Sequence, residues 1–220
     1  MDLKYGQMEN LLAAMHEIAP AQMGALRSRL KHFKRLKFPV SVNTGAGLHA
    51  RYGAKEIVFL LYAFQLIELG MTPERVKHYV EKFTDDLARI SSHVGHLLGR
   101  DDSDPPADQI MKVRFDPNAL SALTEPRSVS DNVELITFKA IQNTIVYKGP
   151  FIRSYFDDEE TLTNNPFGPR YAEINATDLL FRAAIWLEKS KLSDFQTFGD
   201  ALSDWGESEG WTPAREDKMQ

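Results

Sequence analysis

Apolar positions recur at helical spacing through the first hundred residues, and four helices are predicted from them. "ENLLAAMHEIA" (9–19) is the first, closed by Pro20. The second runs from about Ala21 to Leu36, with Leu26, Leu30 and Phe33 at i, i+4 and i+7 as a core stripe. Arg27, Lys31 and Lys34 repeat that spacing one residue later, about 100° around the axis. One face of this helix is therefore for the core, and a neighbouring face is cationic. The third helix, 54 to about 69, is apolar on most sides (Ile57, Leu60, Leu61, Phe64) and stops at Gly70. The fourth opens at Thr72-Pro73-Glu74, a cap, a first-position proline and an acid at the positive end of the dipole. Its Val76, Tyr79, Val80 and Phe83 face inward.

Between the second and third helices the period changes. In "FPVSVNTGAGLHARYG" (38–53) Val40 and Val42 alternate with polar residues, "NTGAG" is turn chemistry, and "LHARY" alternates again. A small hairpin with its loop at 43–47 is expected. A helix with a cationic face followed at once by a basic hairpin has the layout of a winged helix-turn-helix, in which the helix enters the major groove and the wing follows the backbone.

The segment "GRDDSDPPADQ" (99–109) is acidic, carries two prolines and lacks large apolar residues, so it is predicted as a linker. Beyond it, "IMKVRF" (110–115) and "VELITFK" (133–139) suit strands, although the second merges into "AIQNTIVYK" and also suits a helix. "TDLLFRAAIWLEK" (177–189) is an amphipathic helix capped near Asn175 or Thr177. "SDFQTFGDALSDW" (193–205) is a second helix, with Ser193 as its cap. The closing "ESEGWTPAREDKMQ" reads as a frayed tail. The fold expected is mostly α: an N-terminal winged helix-turn-helix over 1–98, the linker at 99–109, a small acidic α+β domain over 110–211, and a tail at 212–220.

Charge sharpens this division. The net charge is −5, yet residues 1–100 hold 14 Lys/Arg against 9 Asp/Glu while residues 101–220 hold 12 against 22. Between Glu17 and Glu56 there are eight basic residues and no acid. A solvated helix face is the ordinary fate of a Lys/Arg run, but such faces mix signs for local pairing, and this one does not. Local charge of one sign decides polyanion binding. Arginine suits bidentate contact with guanine and lysine suits point neutralisation of phosphate. Arg27, Arg29 and Lys31 are therefore assigned to bases or nearby phosphates, and Lys34, Arg35 and Lys37, toward the helix end, to the DNA backbone. Thr44, His49 and Arg51 serve the wing, with Gly45 and Gly47 permitting close approach.

Other chemistry finds little footing. With no cysteine there is no disulfide, thiolate metal site or cysteine nucleophile. His78, His93 and His96 lack HExxH spacing and a placed acid, and "DDEE" (157–160) lacks the alternating ligands and glycine of an EF-hand loop, so no metal or cofactor is expected. GxSxG, the P-loop and GxGxxG are absent, and the chain is not read as an enzyme. The apolar run 57–71 is too short to span a bilayer and includes Gln65 and Glu68. With no secretory pattern at the N-terminus, a cytoplasmic protein with no membrane insertion is expected. Aromatics between 147 and 211 (Tyr147, Phe151, Tyr155, Phe156, Phe167, Tyr171, Phe181, Trp186) suit a small core, or an apolar ligand pocket or partner groove.

"RYGAKEIVFLLYAFQLIELGMTPERVKHYVEKF" (51–83) resembles the MerR-type bacterial transcription regulators: Arg51-Tyr52 after the wing, Glu56 near a helix start, Leu69-Gly70 closing the run, then Thr72-Pro73-Glu74 opening a short helix. Upstream, "LRSRLKHFKRLKFP" is similar to that family's recognition helix. The resemblance covers roughly residues 8–83. It departs in the recognition helix, where His32-Phe33 stands for an aromatic pair, and in an unusual wing. It implies double-stranded DNA as partner and a regulator of transcription. The charge of the acidic C-terminal domain suits contact with another protein, such as RNA polymerase, or with a subunit partner better than contact with DNA. The resemblance also implies a homodimer through a helix at 85–99, where Leu87, Ile90, Val94 and Leu97 have a 3-4-3 spacing. The alternative from another class is an adaptor whose winged helix and acidic domain bind proteins rather than DNA.

Overall fold

A computed structural model describes residues 1–42, 50–100, 110–115, 139–141, 144–146 and 172–211. They are mostly helical, with short antiparallel strand pairs. Strand β1 (Leu3–Lys4) leads into α1 (Tyr5–Met15), a 3-10 turn at Pro20–Gln22 and α2 (Met23–Arg35). A second 3-10 turn, Val40–Val42, precedes β2 (Arg51–Tyr52), which is followed by α3 (Ala54–Glu68), α4 (Pro73–Lys82) and α5 (Thr84–Leu98). Strands β3 (Lys112–Phe115), β4 (Lys139–Ile141), β5 (Thr144–Val146) and β6 (Ala172–Asn175) follow, then α6 (Ala176–Lys189) and α7 (Phe195–Ser208).

The predicted stripes are the buried ones. Leu26, Leu30 and Phe33 of α2, Ile57, Leu60, Leu61 and Phe64 of α3, and Val76 and Val80 of α4 all lie in the core. Tyr79 and Phe83 are half-buried against it. Asn175 caps α6 by accepting from the Asp178 N–H at 3.0 Å. The cap of α7 falls one residue later than expected: Asp194, not Ser193, accepts from the Thr197 N–H at 2.6 Å, because its carboxylate reaches the third amide.

Five helices end in the same way. The N–H two residues beyond the C-cap reaches back to a carbonyl in the last turn: Ile18 to Ala13, Phe38 to Phe33, Met71 to Leu66, Leu192 to Leu187 and Trp211 to Gly206. Each closure puts the preceding residue in the left-handed region. Gly70 and Gly210 do so freely, whereas Glu17, Lys37 and Lys191 carry φ of 50°, 56° and 55°. The first helix therefore closes at Glu17, before the Pro20 that was expected to stop it.

Of the hairpin expected at 40–52, the described ends, 40–42 and 50–52, do not take the form expected. Val40–Val42 is a 3-10 turn with Val42 buried and Val40 largely exposed, so the valine alternation does not mark a strand. Arg51–Tyr52 pairs antiparallel with Leu3–Lys4, in the register Leu3↔Tyr52 and Lys4↔Arg51. The N-terminus, unread as a strand in the sequence, thus supplies the partner. Glu56 fastens the turn to α3: one carboxylate oxygen accepts from the Gly53 N–H at 2.8 Å, and the other accepts from the Ser41 hydroxyl.

The charge boundary near residue 100 does not separate two cores. Helices α6 and α7 pack on α1, α3 and α5, and their apolar residues join the same buried cluster as those of α1–α5. Small residues let α5 and α7 approach closely. A Cβ on Gly95 would sit 2.5 Å from the Gly199 carbonyl oxygen, and one on Gly199 would sit 2.7 Å from the Gly95 carbonyl oxygen. The stripe Leu87, Ile90, Val94 and Leu97, read as a dimer contact, is buried within the chain itself. A homodimer through that stripe would have to displace this packing. An aromatic series also crosses the molecule. Phe64 meets Phe33 at 5.8 Å, Phe33 meets Phe38 at 5.3 Å, Phe38 stacks on Phe59 at 6.0 Å, and Phe59 meets Trp205 edge-on at 5.7 Å. Trp205 Nε1 donates to Glu209, which also accepts from Lys55 Nζ at 2.8 Å, so the expected tail is anchored as far as residue 211.

Candidate nucleic-acid interface

Helix α2 packs on α1 and α4, and its exposed positions carry the cations. Leu26, Leu30 and Phe33 anchor it in the core, and the closure at Lys37–Phe38 fixes its end. Arg27, Arg29, Lys31, Lys34, Arg35 and Lys37 are all exposed, as the helical offset predicts. Ser28, Lys31, Lys34 and Arg35 line one shallow surface depression, the first, second and last of them one helical turn apart. Among the described residues, Arg29, Lys31, Lys34 and Lys37 make no ion pair with an acid. Lys31 and Lys34 share one face with Lys37 just beyond the helix end, and these like charges repel one another in a way a polyanion relieves, whereas Arg29 projects about 160° around the axis from Lys31. His32, Lys34 and Arg35 occupy the last turn, where positive charge also complements the negative end of the helix dipole.

Arg27 is placed differently from its expected role. Its Nε donates to Glu9 Oε1 at 2.8 Å, and the Glu9 side chain is only 6% exposed. A buried carboxylate requires such a partner, so Arg27 ties α1 to α2. Around this pair, burial and the Glu9 charge push the Tyr5 hydroxyl upward, and burial with Tyr5 beside it pushes Tyr52 up to about 12. Arg51 stands at the edge of the β1–β2 pair, exposed, with Nη1 3.9 Å from Asp2 Oδ2. Thr44, Gly45, Gly47 and His49 lie outside the described residues.

His32 and Glu74 were not singled out as a pair by sequence reasoning. His32 Nε2 lies 3.1 Å from Glu74 Oε1, joining α2 to the start of α4, and Arg35 Nη2 lies 3.3 Å from His32 Nδ1. Glu74 is held below the usual carboxylate range, first by its own backbone N–H and then by His32. The two residues are 42 positions apart, and only the packing of α2 on α4 reveals the contact.

Other candidate chemistry does not assemble. Among the described residues no three His, Asp or Glu side chains could hold a metal ion. Acidic residues 157–160 and the aromatics Tyr147 to Tyr171 lie outside the described residues; Phe181 is buried and Trp186 half-buried in the shared core. No helix among the described residues is long and apolar enough to cross a membrane. No family model matches the chain, and no curated protein or solved structure matches it either.

Proposed function

We propose that this chain is a DNA-binding transcription regulator that lays α2 in the major groove and runs the 40–52 segment along the backbone. The observation that carries the reading is the pair Lys31 and Lys34 with Arg35, exposed and without acidic partners among the described residues, on a helix whose neighbouring face is buried in the core. Lysines 31, 34 and 37 supply phosphate neutralisation, which gives affinity without sequence information. Arg35, beside Lys31 and Lys34 on that face, is the guanidinium best placed toward the duplex, since Arg27 is engaged with Glu9 and Arg29 projects about 160° around the helix from Lys31. A contact between the acidic C-terminal part and the transcription machinery completes the reading.

The test is duplex binding by Lys31→Ala/Lys34→Ala. Losing two phosphate contacts near physiological salt weakens binding by roughly 30-fold. Lys189→Ala/Lys191→Ala, the same change of charge at the end of α6, leaves binding nearly unchanged. Equal losses from both pairs overturn the assignment of the face. A wild-type chain that binds no duplex hands the case to the adaptor reading.

A further inference from the structure

One cation of this face does not act alone. Arg35 reaches His32 Nδ1 while the other ring nitrogen of His32 reaches the Glu74 carboxylate. A guanidinium offers donors only, so Nδ1 must present its lone pair to it. An ionised carboxylate accepts only, so Nε2 carries the proton. Both contacts are hydrogen bonds at once only when the ring is neutral and protonated at Nε2. Glu74 in turn occupies the first turn of α4, where the helix favours its negative charge.

We propose that Glu74 and His32 form a relay that positions the Arg35 guanidinium in the depression it shares with Ser28, Lys31 and Lys34, so that Arg35 meets a DNA phosphate already oriented. His32 is a positioning residue and Arg35 the contacting one. The ligand in this proposal rests on the DNA-binding reading above. A guanidinium bonded through one Nη keeps its other donors for a phosphate, so the relay orients Arg35 without using it up. Holding a long side chain in place improves affinity roughly three- to tenfold.

The relay is sensitive to protonation because its two ends respond oppositely. A proton on Nδ1 sets a donor against a donor and a cation against a cation, and Arg35 is released. The Glu74 contact becomes a full ion pair, so the ring stays on α4. Among the described residues, the charged groups bonded to His32 are Glu74 from α4 and Arg35 from α2 itself, with Lys31 and Lys34 bordering the same depression.

The experiment measures binding of a fluorescent mixed-sequence DNA duplex of two helical turns at fixed salt, at about pH 8 and about pH 5.5, on either side of the imidazole range. Arg35→Ala is expected to weaken binding about tenfold at the higher pH and about threefold at the lower. His32→Gln can accept from Arg35 and donate to Glu74 without titrating, so in that background Arg35→Ala costs about tenfold at both. An equal Arg35→Ala loss at both pH values in the wild-type background overturns the relay, as does the same pH dependence persisting in His32→Gln. A DNA-free arm measures carbon relaxation at Arg35 Cζ by NMR. The guanidinium is expected to be more ordered in wild type than in His32→Ala or Glu74→Ala. Mobility indifferent to both substitutions overturns the relay. The expected loss of order, with no duplex bound by the wild type at any pH, upholds the relay and overturns the DNA reading.

Discussion

Arg27 Nε and Glu9 Oε1 are 2.8 Å apart, and this pair locks the first helix to the second from beneath the cationic face. It changes what a substitution at Arg27 should do. Arg27→Ala strands a buried carboxylate and is expected to cost about 1–3 kcal/mol of folding free energy. Urea denaturation checks this against Lys31→Ala, which removes an exposed cation and should stay within about 0.5 kcal/mol of wild type.

The close approach of α5 and α7 predicts opposite effects for two helical glycines. Gly95→Ala forces a methyl into the Gly199 carbonyl and the Ser203 side chain, at a cost of roughly 1–3 kcal/mol despite its better helix propensity. Gly24→Ala in the first turn of α2 meets nothing within 4 Å, and should stabilise by a few tenths to about 1 kcal/mol. Thermal melts of the two variants should therefore move in opposite directions.

Much of the helical architecture was legible in the sequence, because stripes such as Leu26, Leu30 and Phe33 follow directly from helical spacing. The closures at Glu17, Lys37 and Lys191 were not, since glutamate and lysine carry none of the left-handed preference that marks glycine or asparagine. The strand partner of Arg51–Tyr52 was hidden for a different reason: a two-residue strand at the N-terminus has no periodicity to read. The linker expectation followed the change of charge sign, but charge describes the surface. Gly95, Gly199 and Gly206 describe the contact, and they show C-terminal helices packed into the N-terminal core. Within the candidate site, exposure of the cations was readable from their offset, whereas the Glu9 and Glu74 contacts required the tertiary packing.

Lys37 offers a way to separate stability from binding. Its φ of 56° is strained for a residue with a Cβ, so Lys37→Gly should stabilise by roughly 0.5–1 kcal/mol. The same change removes a cation at the end of α2, and duplex affinity should fall several-fold. A variant that is both more stable and weaker in binding is the expected result of paired denaturation and anisotropy measurements.

Glu209 predicts an acid dependence of the contact between α3 and α7. The hydrogen bond from Lys55 above all, with Trp205 Nε1 contributing, holds its carboxyl below the usual range. A depressed carboxylate contributes stability above the unfolded-state value, and that contribution is lost as pH falls through the folded-state value. Denaturation midpoints of wild type should therefore approach those of Glu209→Gln as pH drops below about 4.3 and separate again above it. Because the group is largely exposed, the separation should be small and should shrink further in high salt.

The central claim is that the free cations of α2 bind duplex DNA by neutralising phosphates, and salt dependence tests it most directly. Four exposed cations, Lys31, Lys34, Arg35 and Lys37, each neutralising a phosphate and displacing its counterions, give a slope of about −3 to −4 for log affinity against log salt concentration. Lys31→Ala/Lys34→Ala should make that slope shallower by about 2. A wild-type slope near zero, or one that the double substitution leaves unchanged, would contradict the account.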